Sequence, residues 1–442
     1  VSDLPPGARS ALRATIGFVR DPLGYYQHLR DRHGDPFTAY LGWIPMVVTG
    51  NPDGIRQIFS APIDAFAPVD LDVAELVGPD SVVALEGDAH RVLRQQLNAP
   101  LLTQRADGAA SVILDIARRH VARWPLGRPV RLQRLMGGIS FEVILRAVYG
   151  MRDEARIAEF IAAFERLNRA ASPLIVFFPR LRRDWGPWSP WGRLLRARRQ
   201  LDRILLADIR AARARTRDPG RHDVLDHLVA LTDPEGRPLL GDGAIRDNLL
   251  TLLNAGREST AAAMAWSVYW IWRTPGVLDR LREELVRFAA SGDPADLAGS
   301  AYLDAVCRET LRIQPIGPLV ARKLAKPMAL AGRSVPAGTM VAASVDLAHY
   351  DSGIFADPAD FRPERFLGAR YRPDEFLPFG GGRRYCLGAM LALEEMRLVV
   401  AVVVCGLDLR LAGRARLTRR FSGSIMAPRG GVRVVIERRR GV

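Results

Sequence analysis

The chain has 442 residues, 48% of them hydrophobic and 25% charged, a balance that fills a sizeable core and excludes disordered and fibrous proteins. Its formal net charge is +15, carried almost entirely by arginine, since Lys323 and Lys326 are the only lysines. The arginines are spread along the whole length with no basic block interleaved with aromatics, which argues against a nucleic-acid partner. Two readings of the charge remain: the codon usage of a G+C-rich genome, and a basic face for an acidic protein partner.

Helix signals dominate the chain. Asp21-Pro22 ahead of LGYYQHLRDRH reads as an N-cap and a first-turn proline, with Gly34 as the stop. Residues 36–49 predict two short strands around a turn, and Asn51-Pro52 caps a second helix ending near Phe59. After an irregular stretch at 61–83, helical periodicity covers most of 87–125, 136–170 and 190–215. Residues 243–273 form the longest helical candidate, apolar on several faces and therefore expected to be buried. A further helix carries residues 300–313 and stops before Pro315. Residues 319–347 alternate like strands, with a turn at 335–339, and a coil rich in Pro, Gly and Asp runs from 348 to 385. A last long helix starts near Cys386. The expectation is a mainly α chain with a small β portion (α+β), folded as one domain over residues 1–442.

The three cysteines, Cys307, Cys386 and Cys405, show no CxxC spacing, so neither a zinc site nor a disulfide framework is expected. Their odd number fits a reducing cytoplasm. The opening residues VSDLPPGARSALR hold no apolar signal core, and the most apolar run, Leu398 to Val404, is far too short to span a bilayer. A soluble, cytoplasmic, monomeric protein is expected.

The most informative stretch is FLPFGGGRRYCLGAMLALEE at 376–395. A cysteine just ahead of a helix has its thiolate favoured by the helix N-terminus. Consecutive glycines let the backbone approach a flat ligand closely. Phe379, Gly382, Arg384, Cys386 and Gly388 match F-x-x-G-x-[RH]-x-C-x-G at every defined position. The stretch resembles the haem-binding loop of the cytochrome P450 family. That resemblance implies the family's triangular-prism fold with a long central helix over the haem, haem b (iron protoporphyrin IX) as cofactor, and Cys386 as the sulfur ligand to iron. Thiolate ligation pushes electron density onto iron and favours O–O cleavage.

Three further groups fit the same resemblance in order and spacing. Glu309 and Arg312 form an E-x-x-R pair at i,i+3 on one helix face. With Arg365 of DFRPERF they match the trio by which the family locks the haem-side segment, a structural role. Asn254-Ala-Gly-Arg-Glu-Ser-Thr260, inside the long helix, resembles the family's oxygen-binding segment. Ala255 and Gly256 would lie beside the haem, Gly256 leaving room for dioxygen, and Glu258 with Ser259 and Thr260 would deliver protons. Serine at 259 departs from the usual threonine; it keeps the hydroxyl but lacks the methyl that fixes the rotamer. Two outcomes stay open: looser proton delivery, with more reducing power lost to peroxide, or compensation by the neighbouring Thr260. His90 and Arg94 match the family's H-x-x-x-R pair that reaches the haem propionates. Arg322 and Arg384 complete the propionate cage, a task suited to the guanidinium fork. The other six histidines, His28, His33, His120, His222, His227 and His349, read as surface or core residues, and Cys307 and Cys405 as buried and inert.

By position in the family, a substrate pocket would draw on Val69, Leu71, Ile316, Leu319, Val320, Ile425 and Met426, apolar side chains suited to a hydrophobic substrate. A terpenoid, steroid or fatty acid fits, with a lean to the first two. The stretch 173–191, rich in tryptophan and arginine, is open to two readings, a packed loop or a lid for greasy substrate. No GxGxxG fingerprint follows a strand, so electrons would come from a ferredoxin and its reductase, docking near the basic Arg383 and Arg384. Three functions remain: a monooxygenase inserting one atom of O2 into a C–H bond or alkene, a haem-thiolate peroxygenase or isomerase, and a non-enzymatic haem sensor. The retained Glu258 speaks against the second, and the lack of spare residues for an output module against the third.

Overall fold

The computed structural model describes residues 4–68, 77–106, 109–170, 182–215, 223–413, 415–422 and 425–440. It divides into two compact units: one of Val1–Asp70, Ile113–Ile139 and Glu258–Val442, the other of Leu71–Val112 and Ser140–Arg257.

The first unit is built on a five-stranded sheet. Strands β1 (Phe37–Leu41) and β2 (Ile44–Thr49) form the hairpin expected at 36–49. With β3 (Phe66–Ala67), β5 (Leu319–Leu324) and β8 (Met340–Ser344) the order is β1-β2-β8-β5-β3, and within it only β2 and β8 run parallel; β4 (Pro129–Arg131), β6 (Met328–Leu330) and β7 (Arg333–Val335) lie in smaller sheets. Side-chain alternation splits the core in two. Met46, Val48, Met340 and Ala342 face Phe18, Tyr26 and Leu347 on one side. Val47, Val341 and Ala343 face Ile55, Leu330 and Leu377 on the other. The flanking helices start where the capping residues stand: the Asp21 carboxylate accepts from Gly24 N at 3.1 Å, and the Asn51 side chain from Asp53 N at 2.8 Å.

One departure bears on the site. The strand-like pattern at 319–347 stops at Ser344, whose hydroxyl accepts from Leu347 N at 3.2 Å and caps a short helix, Val345–His349. That turn carries His349 into the core. The helix Ala301–Ile313 and the last helix, Ala389–Gly406, also belong to this unit, and the latter is buried from Leu398 to Gly406.

In the second unit the helices Glu154–Ala170 and Pro190–Ala214 are joined by the ion pair of Arg156 and Asp208. Tyr149 Oη donates to the same Asp208 at 3.1 Å. The long helix, Asp242–Arg273, matches the expected 243–273; its residues up to Arg257 belong to this unit and those from Glu258 on to the first. Its second half is apolar and buried from Ala261 to Ile271. Its first half is polar on one side because Asn248 and Thr251 hold the incoming chain: Asn248 Oδ1 accepts from Val82 N at 2.8 Å, and the Thr251 hydroxyl meets Ser81 Oγ at 2.7 Å. Among the described residues no helix is long and apolar enough to cross a membrane.

Candidate active site

Glu309 and Arg312 are both fully buried, in a protein interior where a lone charge is costly. The cost is met by saturation. Arg312 Nε and Nη2 donate to the two carboxylate oxygens at 2.7 and 2.8 Å, a two-pronged pair. Arg312 also donates to the carbonyls of His349 and Pro358, each at 2.9 Å, and of Asp360 at 3.2 Å. Arg365 Nε and the Arg362 backbone N–H donate to Glu309 Oε1 at 3.1 and 2.9 Å. The structure thus brings Glu309, Arg312 and Arg365 together and ties the segment 349–365 to them.

That segment leads into the cysteine loop. Gly380 N donates to Leu377 O, and Cys386 N to Phe379 O, both at 3.0 Å, closing the loop on itself. Two of the glycines lie against protein. A Cβ on Gly381 would stand 2.2 Å from the Phe59 ring, and one on Gly382, at φ +63°, 2.4 Å from the Phe59 carbonyl oxygen. These two glycines let the loop settle onto the end of the helix Pro52–Ser60. Gly380 meets Val320 of β5. Arg322, two residues further along β5 and so on the same face as Val320, points to the side on which the loop lies. One flank of the loop borders a cavity of about 400 Å³, lined by Tyr371, Phe376, Phe379, Gly380 and Leu393 among others.

Cys386 is exposed, whereas burial pushes the thiol of Cys307 up to about 12 and that of Cys405 up to about 11. Those two are held protonated, as expected of inert core residues. Cys386 stands two residues ahead of Gly388, the N-cap of the last helix, where a Cβ would meet open space.

In the long helix, Ala255 and Glu258 are exposed at i,i+3 spacing, midway along an element otherwise largely buried. Ser259 is partly buried and Thr260 buried, so the hydroxyl nearer the open face belongs to the serine. Arg257 lies over the rings of Phe141 and Phe164, at 5.1 and 5.6 Å. Gly256 lies close to a neighbour: a Cβ there would come within 2.4 Å of Ile144 Cδ1, the tip of a side chain that can shift, and Gly256 O accepts from Ser140 Oγ at 3.0 Å. Ile144 opens a π-helical turn, Ile144–Val148, a distortion often found beside functional sites. Sequence reasoning missed that turn, since nothing in ILRAV marks it. On the helix Gly87–Ala106, His90 is buried and Arg94 partly buried, one turn apart on a single face.

Of the substrate positions, Val69 and Leu71 lie outside the described residues. Ile316 and Met426 are brought together, with Met426 N donating to Ile316 O at 2.8 Å, and Ile425 follows on the strand Ile425–Pro428. Leu319 and Val320 point to opposite faces of β5, into the two different core clusters. Of the stretch 173–191, the described part leaves Trp185 and Trp188 at 69% and 87% exposure, which is not how a packed loop presents them.

These residues fit a flat macrocycle carrying a metal. An exposed thiol at a helix N-terminus is placed to serve as a sulfur ligand, open space at Gly388 leaves room beside it, and Arg322 and Arg384 suit carboxylate groups.

The family model for cytochrome P450 matches residues 12–431. A Mycobacterium tuberculosis protein provisionally named cytochrome P450 135B1 is 33% identical over 99% of this chain and 92% of its own length. Another from that organism, provisionally named cytochrome P450 138, is 31% identical over 99% of this chain and 97% of its own. A solved structure, retinoic acid-bound cyanobacterial CYP120A1, superposes with a TM-score of 0.84 at 23% identity, covering 98% of this chain and 99% of that one. The chain belongs to the cytochrome P450 family and has its mainly α fold with a small β portion. Members of the family bind haem through a cysteine thiolate.

Proposed function

We propose that this protein is a haem-thiolate monooxygenase that inserts one atom of O2 into a hydrophobic small molecule by hydroxylation or epoxidation. The observation that carries the reading is the exposed Cys386 at the end of a loop closed by its own N–H on Phe379 O, directly ahead of a long helix.

Haem b, when bound, supplies an electron-rich iron that activates dioxygen. Cys386 holds that iron as its thiolate, favoured by the N-terminal dipole of the helix Ala389–Gly406. Phe379 and Gly388 flank the sulfur. His90, Arg94, Arg322 and Arg384 bind the propionate carboxylates. Ala255 and Gly256 present a flat stretch of helix. Glu258, exposed, exchanges protons with solvent, and Ser259 passes them inward, with Thr260 in support. Ile316, Ile425 and Met426 offer apolar surface to the substrate, for which a terpenoid or steroid is the preferred class and a fatty acid the next. Val69, Leu71, Leu319 and Val320 complete the proposed pocket. Electrons come from a ferredoxin and its reductase, and a monomer in the cytoplasm is the proposed working form.

The test is the difference spectrum of the reduced, carbon monoxide-treated protein beside its Cys386→Ser variant. A Soret band at the red-shifted thiolate position, lost in the variant, is expected. A band at the position of a histidine-ligated haem, or no haem uptake, overturns the assignment. Spin-state shifts on adding terpenoids, steroids and fatty acids then rank the substrate classes.

A further inference from the structure

His349 is fully buried and every hydrogen-bonding group it has is used. Its Nδ1 lies 3.1 Å from Arg312 O, and its Nε2 accepts from Leu377 N at 3.0 Å. A carbonyl only accepts and a backbone N–H only donates, so the ring is the neutral tautomer with its proton on Nδ1. Arg312 returns a bond, Nη1 to His349 O at 2.9 Å. The ring stacks on Phe376 at 5.3 Å and meets Phe355 edge-on at 6.2 Å. The imidazole is thus fixed on one side to Arg312, within the buried Glu309–Arg365 cluster. On the other it grips the backbone of Leu377.

Leu377 is where the cysteine loop begins. Its carbonyl accepts from Gly380 N, and Phe379 O, two residues on, accepts from Cys386 N. Leu377 packs into the core on one side, but Phe376, Leu377 and Phe379 also line the cavity beside the loop, so packing holds that flank only in part. A hydrogen bond from a rigid, saturated cluster supplies what packing lacks there.

We propose that His349 is a positioning residue for the thiolate loop, transmitting the fixed geometry of the Glu309–Arg312 pair through Leu377 to the backbone that presents Cys386. The proposal rests on Cys386 being the thiolate ligand. It assigns no contact between His349 and haem or substrate.

Three substitutions separate this role from simple core filling. His349→Phe keeps a ring against Phe376 and removes both polar contacts. His349→Asn reaches the Arg312 carbonyl but not Leu377. His349→Gln places an acceptor at the Nε2 position. Two readouts are taken on the full chain: amide hydrogen exchange across 377–386 in the haem-free protein, and the share of reduced, carbon monoxide-bound haem with thiolate rather than neutral-thiol ligation. In the Phe and Asn variants, exchange at Leu377 and Cys386 is expected to rise about tenfold, with the thiolate share falling, while Gln stays near wild type on both. Equal behaviour of all three variants on both readouts overturns the proposal, as does a Phe variant identical to wild type. If the Phe variant fails to fold, the Asn–Gln contrast decides the matter alone. If wild type shows no thiolate band, the Cys386 assignment has failed, and the exchange data still judge the clamp.

Discussion

At the scale of single residues, the buried charges make the sharpest commitments. Arg312 makes contacts with Glu309 and three carbonyls, so Arg312→Ala would take away the donor to Glu309 Oε2 in a dry interior, leaving the carboxylate held only through Oε1 by Arg365 and the Arg362 N–H. A loss of about 3–5 kcal/mol is expected, read as the shift in urea midpoint of the haem-free protein. His349 adds a pH dependence. Burial, then the charge of Arg312, push its imidazole down from 6.5 to about 3, with Arg419 acting in the same direction. Unfolded chain therefore binds a proton between those values while folded chain does not, so stability falls as pH drops from 6.5 towards 3. The slope from this group is at most roughly 1.4 kcal/mol per pH unit. Urea midpoints from pH 7 to 4 should show it in wild type and lose it in His349→Gln. Of the two hydroxyls after Glu258, Ser259 is the less buried, so Ser259→Ala should divert more electrons to peroxide than Thr260→Ala. Peroxide formed per NAD(P)H consumed, with a supplied ferredoxin and reductase, measures this.

Elements show why the same glycines can be read in two ways. The run at 380–382 was legible as a close-approach loop, and it is one, but the sequence cannot say what approaches: for Gly381 and Gly382 it is Phe59. Gly256 is likewise a place where backbone must come near something, and Ile144 fills the space from a π-turn that no local pattern announces. Gly256→Ala should therefore displace the Ile144 side chain at a net cost of about 1 kcal/mol or less, since alanine is the better helix former, and adding Ile144→Val or Ile144→Ala should recover part of that loss in the thermal midpoint. If the glycine served dioxygen access alone, the second substitution would recover nothing. Helix ends at 21, 34 and 51 were legible because capping is local. The strand pattern at 319–347 overran by a few residues because Val345 and Leu347 are apolar in either conformation. Ser344, acting as a cap, settled the matter.

For the whole molecule, the formal charge of +15 predicts that electron delivery from an acidic donor weakens with salt. Reduction rates with a ferredoxin should fall severalfold between low and physiological ionic strength, and a flat response would place the arginine excess with codon usage instead. What the sequence by itself determined is what lies within a few residues or one helical turn: the cysteine loop, the Glu309–Arg312 pair, the caps, the long helix and, through their joint order, membership of the family. Only tertiary structure could decide the rest. His349 finds its partners 37 and 28 residues away, Ser140 meets Gly256 across 116, and Asn248 holds Val82 across 166. A histidine in an apolar run looks the same whether it fills space or holds a loop in place. The difference lies in which carbonyl and which amide the fold brings to its two nitrogens, and chain separation hides that until the backbone has closed.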